Sequence, residues 1–350
     1  MQVLIQRTTS TILPVLVACV LSGCGGGNSD SNSGTENASQ KTRRQQFISM
    51  GTAPVGGAFA VVGGAIADSL NEYKDNNNWK VNAKGSKGSR QNIRLIDQGD
   101  FLLGLSNSAI SYFAVRGESG WEKAYNIRSI ATLAPNIAMF ITKSDSGINT
   151  IGDLKGKRVV VGPSGAGFEM FVQPLLQAHD VTYADFNQLN APQQGAVDLL
   201  ADGNADAAFL GGAVPTGSIT QACSSHDIFF VPFAPEARDQ LSEQYPFFSP
   251  FTLPQNVYSD LTEDYQGLNV GSMHLITSAD ADEEQIYQIT KTIWEHRADI
   301  KHPAAKFINE DNAARYTGTE FHPGSIRFYQ EIGIWKDPEN EQESESVPTS

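Results

Sequence analysis

RVVVGPSGAGFEMFVQPLLQA, residues 158–178, decides how this chain is read. A short apolar run, Arg158 to Val161, is followed by a loop containing Gly162, Gly165 and Gly167. A helical stretch then runs from Phe168 to about Ala178. The same order recurs. Phe47 to Met50 lead through GTAPVGG into a helix to about Tyr73. Phe101 to Leu105 lead through Ser106, Asn107 and Ser108 into a helix from about Ala109. Ala207 to Leu210 lead through GGAVPTG into a helix near Ser218 to Ala222. Strands alternating with helices predict α/β lobes with mixed, mainly parallel sheets. In such sheets ligands sit beyond the carboxyl ends of the strands, where these loops lie.

The loop chemistry suggests what is bound. Glycine tolerates positive φ and lets a ligand approach bare backbone amides. The helix start that follows has unpaired N–H groups and partial positive charge, which together suit an anion. A nucleotide loop would need GxxxxGK[ST], and Phe168 stands where the lysine belongs. Alone, the loop reads better as a plain tight turn, since short glycine motifs are weak evidence. Its repetition near Gly56-Gly57 and at Ser106-Asn107-Ser108 points to several helix starts gripping a carboxylate without a dedicated arginine. Each start contributes about 0.3–1 kcal/mol.

Composition bounds the partners. The 350 residues carry 39 acidic and 25 basic side chains, a net charge of -14, which disfavours nucleic acid. The acidic surface serves solubility. At the front, Arg7 and the apolar run Thr11 to Leu21 read as an export signal, short of the roughly 20 residues of a spanning helix. Leu21-Ser22-Gly23-Cys24 resembles a lipobox, so residues 1–23 are expected to be a signal peptide and Cys24 the lipidation site. Residues 24–46 read as a flexible tether and residues 336–350 as a disordered acidic tail. After cleavage Cys223 is the one remaining thiol that is not acylated, which excludes an internal disulfide.

Two β-rich runs, Ala138 to Thr142 and Leu268 to Thr277, read as hinge strands. They place lobe one at 47–143 plus 275–335 and lobe two at 144–274. Catalytic signatures are absent. There is no HExxH, and GPSGA around Ser164 misses the GxSxG elbow. Cys223 and His226 lie three apart with nothing nearby to orient them, and His322 reads as a structural turn before a helix holding Arg327, Tyr329 and Glu331. The chain is therefore expected to be no enzyme and to use no metal or cofactor.

From Phe47 to Trp335 the chain resembles the TAXI-type solute receptors of TRAP transporters. The shared features are GTxxxGG at Gly51, Thr52, Gly56 and Gly57, running on to Gly63-Gly64, and GS..N at Gly88, Ser89 and Asn92. SDSGINTIGDLKGKRVVVG at 144–162, VPT at 214–216, YPFF at 245–248 and HPGSIRFYQEIG at 322–333 complete them. The resemblance implies a two-lobed, type II periplasmic-binding fold, an ion-driven TRAP permease as partner, and organic or amino acids as ligands. The N-terminal signal and lipobox make the protein exported and lipid-anchored in this reading, and binding proteins of this type usually work as monomers. Ala58, Phe59 and Ala60 depart from the family's pattern, as do Asn107, Ser108 and Ala109, and the run Gly165 to Phe168. Apolar groups there predict a carboxylate with an apolar or aromatic body, since unpaired buried polar atoms cost about 1–3 kcal/mol each.

In this reading Thr52, Ser89, Asn92, Asn107 and Ser108 supply polar contacts from lobe one, with Gly56 and Gly57 beside them. Gly165, Ala166, Gly167 and Phe168 meet the ligand from lobe two, with Gly212, Val214 and Pro215 nearby. Phe59 and Phe168 sandwich its apolar part. A sensor that presents its closed form to a signalling partner stays open as an alternative.

Overall fold

A computed structural model describes residues 45–54, 58–74 and 77–337 of the protein. Cys24, Gly56, Gly57, the signal and nearly all of the tether lie outside the described residues, as does the tail from 338 onward.

The chain first builds β1 (Gln46–Gly51), α1 (Ala58–Glu72), β2 (Trp79–Lys84), α2 (Ser89–Asp97), β3 (Leu103–Asn107), α3 (Ser108–Arg116) and β4 (Ile127–Thr132). It then crosses to β5 (Ile137–Lys143), β6 (Arg158–Val160), α4 (Glu169–Gln177), β7 (Asn187–Leu189), α5 (Gln193–Ala201) and β8 (Ala207–Gly212). α6 (Gly217–Ser225), β9 (Ile228–Val231), α7 (Pro235–Gln244), β10 (Phe248–Leu253) and β11 (Tyr265–Val270) follow. It returns through β12 (Met273–Ser278), α8 (Glu283–Glu295) and α9 (Pro323–Glu331).

Two sheets result, ordered β2-β1-β3-β12-β4 and β10-β11-β5-β8-β6-β7, with β9 also paired to β5. Each is the centre of one lobe. β3 is buried along its whole length and β5 along all but its last residue, as apolar strands covered on both faces must be. α2 shows the complementary pattern. Ser89, Asn92, Ile93 and Ile96, at helical spacing, form its buried face. α9 opens as the sequence suggests: the His322 side chain accepts from the Gly324 N–H at 3.2 Å and Pro323 occupies the first turn.

The sheets are mixed, as expected, with antiparallel pairs in the majority. Parallel pairing joins β1 to β2 and β3, and β6 to β7 and β8. The returning strands β5 and β12 run antiparallel to their neighbours, because a chain crossing between lobes enters the next sheet reversed. The lobe limits shift for the same reason. Ile137–Lys143, expected in lobe one, pairs with β8 and β9 in the second sheet. The expected hinge strand 268–277 is two strands of different sheets, broken at Gly271-Ser272. The crossings are therefore 133–136 and 271–272. A β-rich run shows that a strand forms, and its partner is a tertiary matter.

Candidate functional site

The strand ends of lobe one are braced by their own side chains. The Thr52 N–H and hydroxyl both donate to the Lys84 carbonyl at 2.9 Å. Asn92 donates one amide hydrogen to the Thr52 carbonyl at 2.7 Å and the other to the Leu105 carbonyl at 2.8 Å, tying β1 to β3. Ser89 accepts the Asn107 N–H at 3.0 Å. Asn107 caps α3 by accepting the Ala109 N–H at 2.8 Å, and its amide donates to the Gly271 and Val270 carbonyls at 2.8 and 3.3 Å. The amide hydrogens of Asn92 and Asn107, residues expected to contact a ligand, are thus engaged within the protein. Asn92 Oδ1 and the completely buried hydroxyl of Ser108 have no partner among the described residues.

Asn107 joins a helix start to a lobe crossing, so Asn107→Ala should lower the unfolding free energy by about 2–4 kcal/mol, from a lost cap and stranded carbonyls. Urea unfolding measures this. A loss below about 0.5 kcal/mol would show that the brace is dispensable.

In lobe two the loop after β6 is held from both sides. The Gly162 carbonyl accepts from Asn190 at 2.9 Å. The Phe168 ring covers Gly162 so closely that a Cβ there would lie 2.3 Å from it. That ring also packs on Phe171 and Phe209, with centroids 5.1 and 6.2 Å away. Gly165 is exposed, while Ala166 and Gly167 are buried. A pocket of about 300 Å³ opens beside the loop, lined by Pro163, Gly165, Phe168, Glu169, Tyr183 and Asn190 among others. The loop after β8 is anchored by Gln193 on the Gly211 carbonyl and by the Thr216 N–H on the Tyr258 hydroxyl at 2.8 Å, with a cis peptide at Val214-Pro215.

The two sets of loops meet. A Cβ on Gly167 would lie 2.9 Å from Ile110 Cδ1 and 3.1 Å from Arg90 Cγ, both in lobe one. Arg90 pairs with Glu169 at 3.0 Å across the same contact, and its guanidinium lies over the Trp121 ring at 4.9 Å. Ala213, next to Gly212, joins the apolar cluster of lobe one. The starts of α2 and α3 therefore face the loop holding Gly165 to Phe168, with the loop from Gly212 to Pro215 reaching the same lobe. Phe59 and Phe168 belong to different apolar clusters, Phe59 to that of lobe one and Phe168 to the larger one centred on lobe two. Arg90 and Glu169 were missed in the sequence because neither stands in a charge pattern; each merely follows a motif residue.

Burial, aided by the Asp260 carboxylate, pushes the Cys223 thiol up to about 11, so the thiolate is suppressed at neutral pH. Burial drives His274 down to about 3; its Nε2 meets the Ser111 hydroxyl at 2.8 Å and its Nδ1 has no partner among the described residues. No group of three His, Cys, Asp or Glu poised for a metal occurs among the described residues.

Two α/β lobes, joined by paired crossings and with helix starts opposed across the gap, define the fold of the two-lobed periplasmic binding proteins. The chain belongs to the NMT1-like family, whose model matches residues 50–333. Among solved structures it is similar to PhnD1 of Prochlorococcus marinus in complex with methylphosphonate, with TM-score 0.51 and 12% identity over 86% of this chain and 99% of that one. A binding component of a phosphonate ABC transporter from Pseudomonas aeruginosa aligns with TM-score 0.49 and 11% identity, covering 83% and 87% of the two chains. The alkanesulfonate-binding protein SsuA of Xanthomonas axonopodis pv. citri, bound to MOPS, aligns with TM-score 0.47 and 16% identity, covering 83% and 80%. At such identities the likeness to PhnD1 shows a shared fold. No helix of the described residues is long and apolar enough to cross a membrane.

Proposed function

We propose that this protein is an extracytoplasmic receptor that captures a small anionic solute between its lobes and delivers it to a membrane transporter. One observation carries the reading: the glycine-rich loop of lobe two seats directly against the helix starts of lobe one, with Gly167 against Ile110 and Arg90. Ligand contact would come from the Gly165–Phe168 backbone, the Ser89 and Ser108 hydroxyls and the Gly212–Pro215 loop. The lobes would close about 133–136 and 271–272, with closure driven by tighter binding to the closed form. Cys24 would carry a lipid anchor.

The finer reading is a TAXI-type receptor of a TRAP transporter that takes a carboxylate with an apolar body. The run of motifs supports it, as do Phe59, Ala166 and Phe168 where the family carries polar groups. PhnD1, solved with methylphosphonate, makes phosphonate the competing head group. Calorimetric titration with phenylacetate, glutamate, methylphosphonate and methanesulfonate separates these. The expected result is micromolar or tighter binding of phenylacetate. Tight glutamate binding without phenylacetate would sink the apolar-ligand reading, and preference for methylphosphonate would replace the carboxylate.

A further inference from the structure

The crossing between the lobes holds a surplus of hydrogen-bond donors. Ser272, fully buried between β11 and β12, accepts through its hydroxyl from Asn269 Nδ2 at 3.0 Å and from Arg315 Nη2 at 2.8 Å. A hydroxyl that accepts twice still has a proton to give, and no described residue accepts it. The Ser272 carbonyl takes the Ser108 N–H at 2.9 Å, which fixes the start of α3 alongside. The Ser108 hydroxyl, one residue into that helix, is the buried donor already found without a partner.

Arg315 is the unusual member. Its Nε donates to Asn312 Oδ1 at 3.2 Å, and Asn312 is in turn tied to the Leu133 carbonyl of the other crossing at 2.8 Å. The guanidinium therefore meets neutral oxygens and forms no ion pair with a described carboxylate. Burial lowers its pKa, with nothing raising it. Five other arginines, Arg90, Arg94, Arg128, Arg158 and Arg327, have acidic partners, whereas Arg116 and Arg297 meet carbonyls and form no ion pair with a described carboxylate. A partly buried cation left without one carries a desolvation cost that an incoming anion would offset.

We propose that Arg315, Ser272 and Ser108 form the anion subsite of the interlobe site, with the guanidinium fork holding two oxygens of the ligand's acidic group. The subsite rests on the receptor reading above and revises its sequence-level form, in which helix starts gripped the anion without an arginine. A fork of parallel N–H donors suits any oxyanion with two exposed oxygens, whether carboxylate, phosphonate or sulfonate. Because Ser272 lies in the crossing itself and Ser108 opens the helix beside it, an anion there touches the segment about which the lobes close.

The test uses the full chain, its Arg315→Gln and Arg315→Lys variants, and phenylacetate, glutamate, methylphosphonate and methanesulfonate as probes. Arg315→Gln is expected to lose roughly 30- to 1,000-fold in affinity for whichever probe binds the wild type, and Arg315→Lys about 10-fold. Without ligand, Arg315→Gln is expected to melt at or above the wild-type temperature, because a cation lacking a counter-ion has gone. Unchanged affinity in Arg315→Gln overturns the subsite, as does a fall of roughly 5 °C or more in unliganded melting, which would make the guanidinium a structural brace. If the wild type binds none of the four probes, the receptor reading falls and takes the subsite with it. If the wild type binds and the variant binds equally, the subsite alone falls.

Discussion

Gly167→Val is expected to weaken ligand capture by about 100-fold while both lobes stay folded. Gly167 has φ +97°, a conformation that side chains other than glycine adopt only under strain of about 1–3 kcal/mol. That cost falls on the open and closed forms alike. The steric part does not: the new Cβ would stand 2.9 Å from Ile110 Cδ1 and 3.1 Å from Arg90 Cγ, atoms of the opposite lobe. It opposes only the closed form, and a closure penalty of about 2.7 kcal/mol is a hundredfold in affinity. Gly203→Ala, outside the proposed ligand contacts, is the control for backbone strain. Its φ is +70°, and a Cβ there meets nothing within 4 Å. It should lose some stability and keep its affinity. Titration calorimetry reads the affinities, and small-angle scattering with ligand reads closure. Equal affinities for Gly167→Val and Gly203→Ala would show that the loop does not form the closing contact.

Acidification is expected to destabilise the protein through His274. Burial holds this imidazole neutral, its pKa down from 6.5 to about 3. The unfolded chain takes up the proton below pH 6.5, whereas the folded protein does not until near pH 3. The contribution of His274 to stability is therefore full above pH 6.5 and lost progressively as pH falls toward 3. Each pH unit in that window removes up to about 1.4 kcal/mol, so pH 4.5 costs about 3 kcal/mol. His179, His302 and His322 are shifted downward by burial too and add in the same direction. Replacing His274 with glutamine keeps a donor for Ser111 and removes the titration. The urea-unfolding free energy of His274→Gln should fall less than that of the wild type between pH 7 and 4.5. Parallel curves for the two proteins would mean that the ring protonates without opening the core.

Much of the local architecture is legible in the residues alone. The stretch 158–178 announces a strand, a tight glycine turn and a helix because each needs only neighbours: an apolar run, residues tolerant of positive φ, and helical spacing of apolar positions. The cap at His322, the helix starts near Ala58, Ser108 and Glu169, and the two-lobed α/β class follow in the same way. What failed was pairing. Ile137–Lys143 reads as a strand in isolation, yet the sheet it joins depends on β8, about 70 residues onward. The amides of Asn92 and Asn107 looked like ligand donors because a short polar side chain after a strand serves a ligand or a carbonyl equally well; which of the two it meets depends on segments elsewhere in the chain.

The sequence by itself determined the order of elements, the glycine turns and the helix starts, since backbone preferences and hydrophobic period act over a few residues. Tertiary structure alone decided that Arg90 meets Glu169 across 79 positions and that Arg315 reaches Ser272 across 43, leaving it without a carboxylate. Such contacts are set by how the two sheets pack, and no local pattern records them.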